Sequence, residues 1–140
     1  MTNKKNPDSL ELAKNWERDL RRGLLKLMIL LLIRLKTEEA HAYGLISLLR
    51  ETNIPLKAGT VYPLLKRMEA EGLISSLLAE DLESPGNPRR IYTITSSGEN
   101  AIESMIQTYF IYHQSIQTWY NEIQSFNTKR GWSLENETDK

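Results

Sequence analysis

Arg89 and Arg90 stand directly behind the turn-forming run Pro85-Gly86-Asn87-Pro88. A guanidinium presents a rigid fork of N–H donors that matches a phosphate, so this pair suits a nucleic-acid backbone or the minor groove beside it. The Asn87 amide, a donor and acceptor at once, joins them. A second group, Lys57, Thr60, Tyr62, Lys66 and Arg67, falls on one apolar-periodic segment. It combines cations for phosphates with hydroxyl and ammonium groups able to meet base edges. The competing reading of Lys66 and Arg67 is a solvated helix face, on which Arg67 pairs with Glu71 at i,i+4.

Other chemistry finds no footing. There is no cysteine, which excludes disulfides, thiolate metal sites and thiol catalysis. His41 and His113 lack metal-ligand spacing and read as surface or partly buried histidines. The carboxylates Glu38-Glu39 and Glu80-Asp81-Glu83 sit in polar connections, not in an apolar cleft that could tune a general acid. Neither a phosphate-cradling glycine loop nor a nucleophile elbow is present. No enzyme, metal or cofactor is expected.

The elements that must carry the basic groups follow from periodicity. Leu12, Trp16, Leu20, Leu24, Leu27, Leu31 and Leu35 recur every three or four residues and predict a helix from Ser9 to Leu35, interrupted near Gly23. A short helix is expected over Ala42–Arg50, stopped ahead of Pro55. A third spans Lys57 to Glu71 and ends at Gly72, with Val61, Leu64, Leu65 and Met68 inward. Pro63 fits there in a first turn or else kinks the helix. Leu73–Leu77 and Arg90–Thr95 then alternate as two strands around dense turn chemistry. The fold class is mainly α with a small two-stranded β-wing. Helix, turn, helix and wing is a DNA-reading layout, in which the second helix enters the major groove and the ribbon reaches the backbone.

The net charge is zero, but residues 1–98 carry 15 Lys/Arg against 12 Asp/Glu, and residues 99–140 carry 3 against 6. The basic part is the candidate for phosphate contact and the acidic part is not.

The string Gly59-Thr60-Val61-Tyr62-Pro63-Leu64-Leu65-Lys66-Arg67-Met68-Glu69-Ala70-Glu71-Gly72-Leu73-Ile74 closely resembles the signature of the PadR family of transcriptional regulators. Arg89-Arg90-Ile91-Tyr92-Thr93-Ile94-Thr95-Ser96-Ser97-Gly98 follows after a short gap, and Arg21-Arg22-Gly23-Leu24-Leu25 and His41-Ala42-Tyr43-Gly44-Leu45-Ile46 fit upstream. At Tyr43-Gly44 this chain has the reverse of the usual Gly-Tyr order. The resemblance covers about residues 19–98. It implies a winged-helix dimer that usually represses transcription and often responds to a small ligand. By that resemblance Tyr62 lies in the recognition helix, Arg89 and Arg90 on the wing, and the last helix at the dimer interface.

In that last helix Ile102, Met105, Tyr109, Tyr112, Ile116, Trp119, Ile123 and Phe126 keep a 3-4-3-4-3-4-3 spacing, the seam of a helix that pairs with another. A homodimer is therefore expected through this C-terminal helix, with Leu12 and Trp16 completing its interface. The aromatic set Trp16, Tyr112, Trp119 and Tyr120 is read first as interface packing and second as the wall of a pocket for a small aromatic effector. The organisation expected is a disordered N-terminus (1–8), a winged-helix domain (9–98), a dimerisation helix (99–128) and a disordered tail (129–140). The N-terminal segment does not read as a signal peptide, and the apolar run Leu24–Ile33 is too short to span a bilayer, so a cytoplasmic location is expected. The function so read is a sequence-specific transcription regulator, expected to be a repressor, whose partner is a pseudo-palindromic double-stranded DNA operator. The alternative is a protein-binding adaptor or anti-repressor of the same fold that does not read DNA.

Overall fold

The computed structural model describes residues 8–54, 56–80, 86 and 88–129. In order they form α1 (Ser9–Leu35), a 3-10 turn (Thr37–Glu39), α2 (Ala42–Glu51), α3 (Ala58–Ala70), β1 (Ile74–Ala79), β2 (Arg89–Ile94) and α4 (Ser96–Lys129). The chain falls into two compact units, Met1–Ile102 and Glu103–Lys140, which divide within α4.

Each helix in the first unit starts and stops on identifiable chemistry. Asp8, expected to fray, instead caps α1: its carboxylate accepts the Glu11 N–H at 2.7 Å. The expected interruption at Gly23 is absent, and α1 runs through it unbroken. His41 caps α2 through Nδ1, which accepts the Gly44 N–H at 3.0 Å. Helix α3 ends on a Schellman motif: Gly72 adopts φ +80, its N–H donates to Glu69 O, and Leu73 N–H donates to Met68 O. Thr95 caps α4 with a hydroxyl that accepts the Gly98 N–H at 3.0 Å.

The first unit's core is built from Ile29, Leu30 and Ile33 of α1, Leu45 and Leu49 of α2, Val61, Leu65 and Met68 of α3, and Ile74 of β1, all essentially sealed from solvent. This corrects the face assigned to α1. Of that face Leu27 is buried and Leu24 half-buried, but Leu31 and Leu35 are exposed, and Leu25, Ile29 and Ile33 are buried outside it. The run Leu24–Ile33 is apolar nearly all round, so its periodicity does not select the buried side. Leu12, Trp16 and Leu20 toward the start of α1 and Leu31 and Leu35 toward its end are left exposed, on either side of half-buried Leu24 and buried Leu27.

Strands β1 and β2 pair antiparallel in the register Ile74↔Ile94, Ser76↔Tyr92, Leu78↔Arg90 and Ala79↔Arg89. The wing is tied to the helices through its base: Tyr92 N–H donates to the buried Ala40 carbonyl at 2.8 Å, and Thr95 N–H donates to Leu73 O at 3.1 Å.

Candidate nucleic-acid interface

Burial of Val61, Leu65 and Met68 fixes which side of α3 is left to solvent. Thr60, Tyr62, Lys66 and Arg67 are all exposed, and Lys57 sits just ahead as the N-cap, with no side-chain hydrogen bond to the helix. Pro63 lies inside the helix at its sixth residue, past the first turn, and its side chain is exposed. Its missing N–H removes one i→i−4 bond, to Gly59, on the solvent side.

At 100° per residue the exposed groups divide into two flanks. Lys57, Thr60 and Arg67 line a cleft that α3 shares with α1, and Arg18, Arg21 and Arg22 line the other wall. Tyr62 and Lys66 lie on the flank away from that cleft. There Tyr62 is close enough to the buried Tyr92 of β2 to perturb it. Burial raises the Tyr92 phenol above its ordinary pKa, the Arg90 guanidinium lowers it, and Glu69 and Tyr62 each raise it. Tyr62 nevertheless stays about half exposed, so its ring is not consumed by packing on the wing.

Both wing arginines are exposed and both are oriented. Arg90 Nη1 donates to Ser76 Oγ at 2.9 Å, and Ser76 Oγ in turn donates to Glu69 Oε1 at 2.6 Å. The wing arginine is thereby linked to α3 through a diagonal cross-strand contact. Arg89 Nη1 lies 3.2 Å from His41 Nε2. Asn87 falls outside the described residues. The pairing of Arg67 with Glu71 is not the one found: Glu71 takes Lys26 of α1, with Nζ at 3.0 Å.

Three arginines escaped assignment from sequence. Arg18 entered only through the charge count, and Arg21 and Arg22 only as part of the resemblance with no role attached, yet the spacing i, i+3, i+4 already puts them on one helix face. No helix among the described residues is long and apolar enough to cross a membrane, and no group of three or more His, Asp or Glu among them could hold a metal ion.

A helix exposed along one side, packed against α2 and β1 and followed by an arginine-bearing hairpin, defines a winged helix-turn-helix DNA-binding protein. The chain belongs to the PadR-like family of transcriptional regulators, whose sequence pattern matches residues 29–104. Solved structures agree. A PadR family transcriptional regulator from Eggerthella lenta is 26% identical with a TM-score of 0.64, covering 78% of this chain and 92% of that one. A PadR-like transcriptional regulator from Bacillus cereus is 27% identical with a TM-score of 0.62, covering 73% and 96%. A PadR family regulator from Clostridium difficile is 29% identical with a TM-score of 0.56, covering 67% and 97%. No curated protein matches the chain. The protein is thus a DNA-binding transcription regulator.

Proposed function

We propose that the protein is a homodimeric repressor that reads a pseudo-palindromic operator, one α3 in the major groove of each half-site and each wing on the flanking backbone. The split of α3 carries this reading: Val61, Leu65 and Met68 are sealed while Thr60, Tyr62, Lys66 and Arg67 face solvent, next to a wing that presents Arg89 and Arg90. Lys57, Arg67, Arg89 and Arg90 supply phosphate contacts, and Thr60, Tyr62 and Lys66 supply groups for base edges. Asn87, two residues before Arg89 in the sequence, is assigned to the same wing contact.

Pairing of two copies is supported by the apolar residues left in water. Leu12 and Trp16 on α1 and Tyr109, Tyr112, Ile116, Trp119 and Ile123 on α4 are each more than a third exposed. Soluble monomers rarely leave an apolar seam as long as that of α4 in water, and two-fold pairing of identical chains is the commonest cover. Half-sites then lie about 34–36 Å apart. Ligand response is read from the rings on α4: Tyr112, Trp119 and Tyr120 offer a planar aromatic effector stacking surfaces, and quenching of tryptophan fluorescence that is lost in Trp119→Phe measures it.

Selection of the full chain against random duplexes tests the reading. An inverted repeat with half-sites one helical turn apart is the expected product. Enrichment of no motif, with affinity no better than roughly 10⁻⁶ M at physiological salt, points instead to a protein-binding adaptor or anti-repressor.

A further inference from the structure

The cleft between α1 and the start of α3 has a volume of about 830 Å³ and is lined by five cations: Arg18, Arg21, Arg22, Lys57 and Arg67. None of the residues lining it is a carboxylate. Five like charges around one opening repel one another, and the repulsion is relieved when an anion enters. Among the described residues neutralisation is slight: Arg21 has Glu17 at 3.0 Å, Arg18 donates to the uncharged Asn15 amide at 3.1 Å, and Arg22 is exposed and takes part in none of the described ion pairs.

The α1 wall is a face, not a scatter. Arg18, Arg21, Arg22 and Leu25 occur at i, i+3, i+4 and i+7, and Leu25 is buried, which presses that face against the first unit. It lies on roughly the opposite side of α1 from Leu12, Trp16 and Leu20. The helix therefore has two separate exposed surfaces, one apolar and one cationic, and covering the first leaves the second open.

We propose that this cleft seats the phosphodiester backbone of the strand that passes the N-terminal end of α3, so that α1 holds DNA from the side away from the wing. This rests on the DNA-reading function proposed above. A strand is favoured over a small free anion because two of the five cations stand on the helix that enters the groove. The other three extend along α1, continuing that surface past α3.

Fluorescence anisotropy of the full chain on a labelled mixed-sequence duplex and on the selected operator, between 50 and 200 mM KCl, tests it. Arg18→Ala with Arg22→Ala removes two exposed cations and keeps good helix formers, with circular dichroism as the check on folding. The salt slope should become shallower by about 1.8, equivalent to a roughly tenfold smaller loss of affinity over that range. Both duplexes should respond alike, leaving the operator preference intact. Arg34→Ala removes the same charge about 18 Å further along α1 and should leave the slope unchanged. If the double variant keeps the wild-type slope while Arg89→Ala reduces it, the cleft is off the DNA and the regulator reading survives alone. Saturable binding of inorganic pyrophosphate that is lost in the double variant, with an unaltered DNA slope, would also overturn the proposal in favour of a small-anion site. A wild-type chain that binds neither duplex removes the function and this inference together.

Discussion

Arg89 and Arg90 are neighbours in sequence, yet they are held by different partners, and that sets what each substitution costs. Arg90 is tied through Ser76 to Glu69 of α3, so Arg90→Ala changes both charge and the link between wing and helix. Arg89 instead lies against His41, the cap of α2. Arg89→Ala should weaken binding to every duplex by a similar factor and make the salt slope shallower by about one, read by titration at several salt concentrations. Tyr62 tests base reading separately. Tyr62→Phe keeps the ring and removes a hydroxyl whose hydrogen bond is worth about 1 kcal/mol, so operator affinity should fall about fivefold while mixed-sequence binding hardly changes. Equal operator affinity of the wild-type and Phe forms would take that hydroxyl off the bases. Tyr92 bears on stability instead. Burial raises its pKa above the ordinary phenol value, so the folded state holds this proton more tightly than the unfolded chain. Its contribution is complete below the unfolded pKa and is lost as pH rises through the folded one. Alkaline unfolding above about pH 10 should accordingly become less steep in Tyr92→Phe, measured by denaturant titration across that range.

Among the elements, α4 meets the wing most closely at Gly98. A Cβ there would fall inside contact distance of the Leu73 carbonyl oxygen and reach 2.8 Å from Ile94 Cγ2. Backbone cannot move aside as a flexible side chain does. Gly98→Ala should therefore cost about 1–3 kcal/mol and lower Tm by several degrees, whereas the same change at Gly23 or Gly59 meets open space. This need was not legible in sequence, where Ser97-Gly98-Glu99 reads only as a helix start. What was legible is local. Gly72 as a helix stop, the two strands and the heptad-spaced last helix each depend on chemistry within a few residues. The buried side of α1 was not, because Leu24–Ile33 is apolar on every side but that of Lys26, and only the tertiary partners choose Leu25, Ile29 and Ile33 over Leu31 and Leu35. The candidate site shows the same division. Outward placement of Thr60, Tyr62, Lys66 and Arg67 followed from the spacing of Val61, Leu65 and Met68. Ser76 under Arg90, and the arginines of α1 across from Lys57, depend on pairings between elements that no periodicity encodes.

For the whole molecule the zero net charge is a balance of unlike parts. Residues 1–98 hold an excess of three positive charges and residues 99–140 an equal excess of negative ones, so the winged-helix portion is the part drawn to phosphate. The acidic portion carries the apolar seam. Ile102, its first member, is buried within the first unit, so the seam open to a partner begins at Tyr109 and runs through Tyr112, Ile116, Trp119 and Ile123 to Phe126, all exposed. Leu12, Trp16 and Leu20 form a second exposed apolar stripe of the same chain, one residue longer than the two expected of it. Burying an Ile or a Trp contributes on the order of 1.5–3 kcal/mol per side chain, and every contact in a two-fold dimer occurs twice. Placing a carboxylate there reverses the effect, since an unpaired charge at the seam must be desolvated. Ile116→Asp with Trp119→Asp should thus sediment as a monomer at micromolar concentration while circular dichroism still reports a folded winged-helix domain. Operator affinity should fall toward the mixed-sequence value, because one half-site alone engages one α3 and one wing. A double variant that sediments with wild-type mass and retains operator affinity would place the two-fold contact elsewhere, with the exposed stripe of α1 as the surface left to form it.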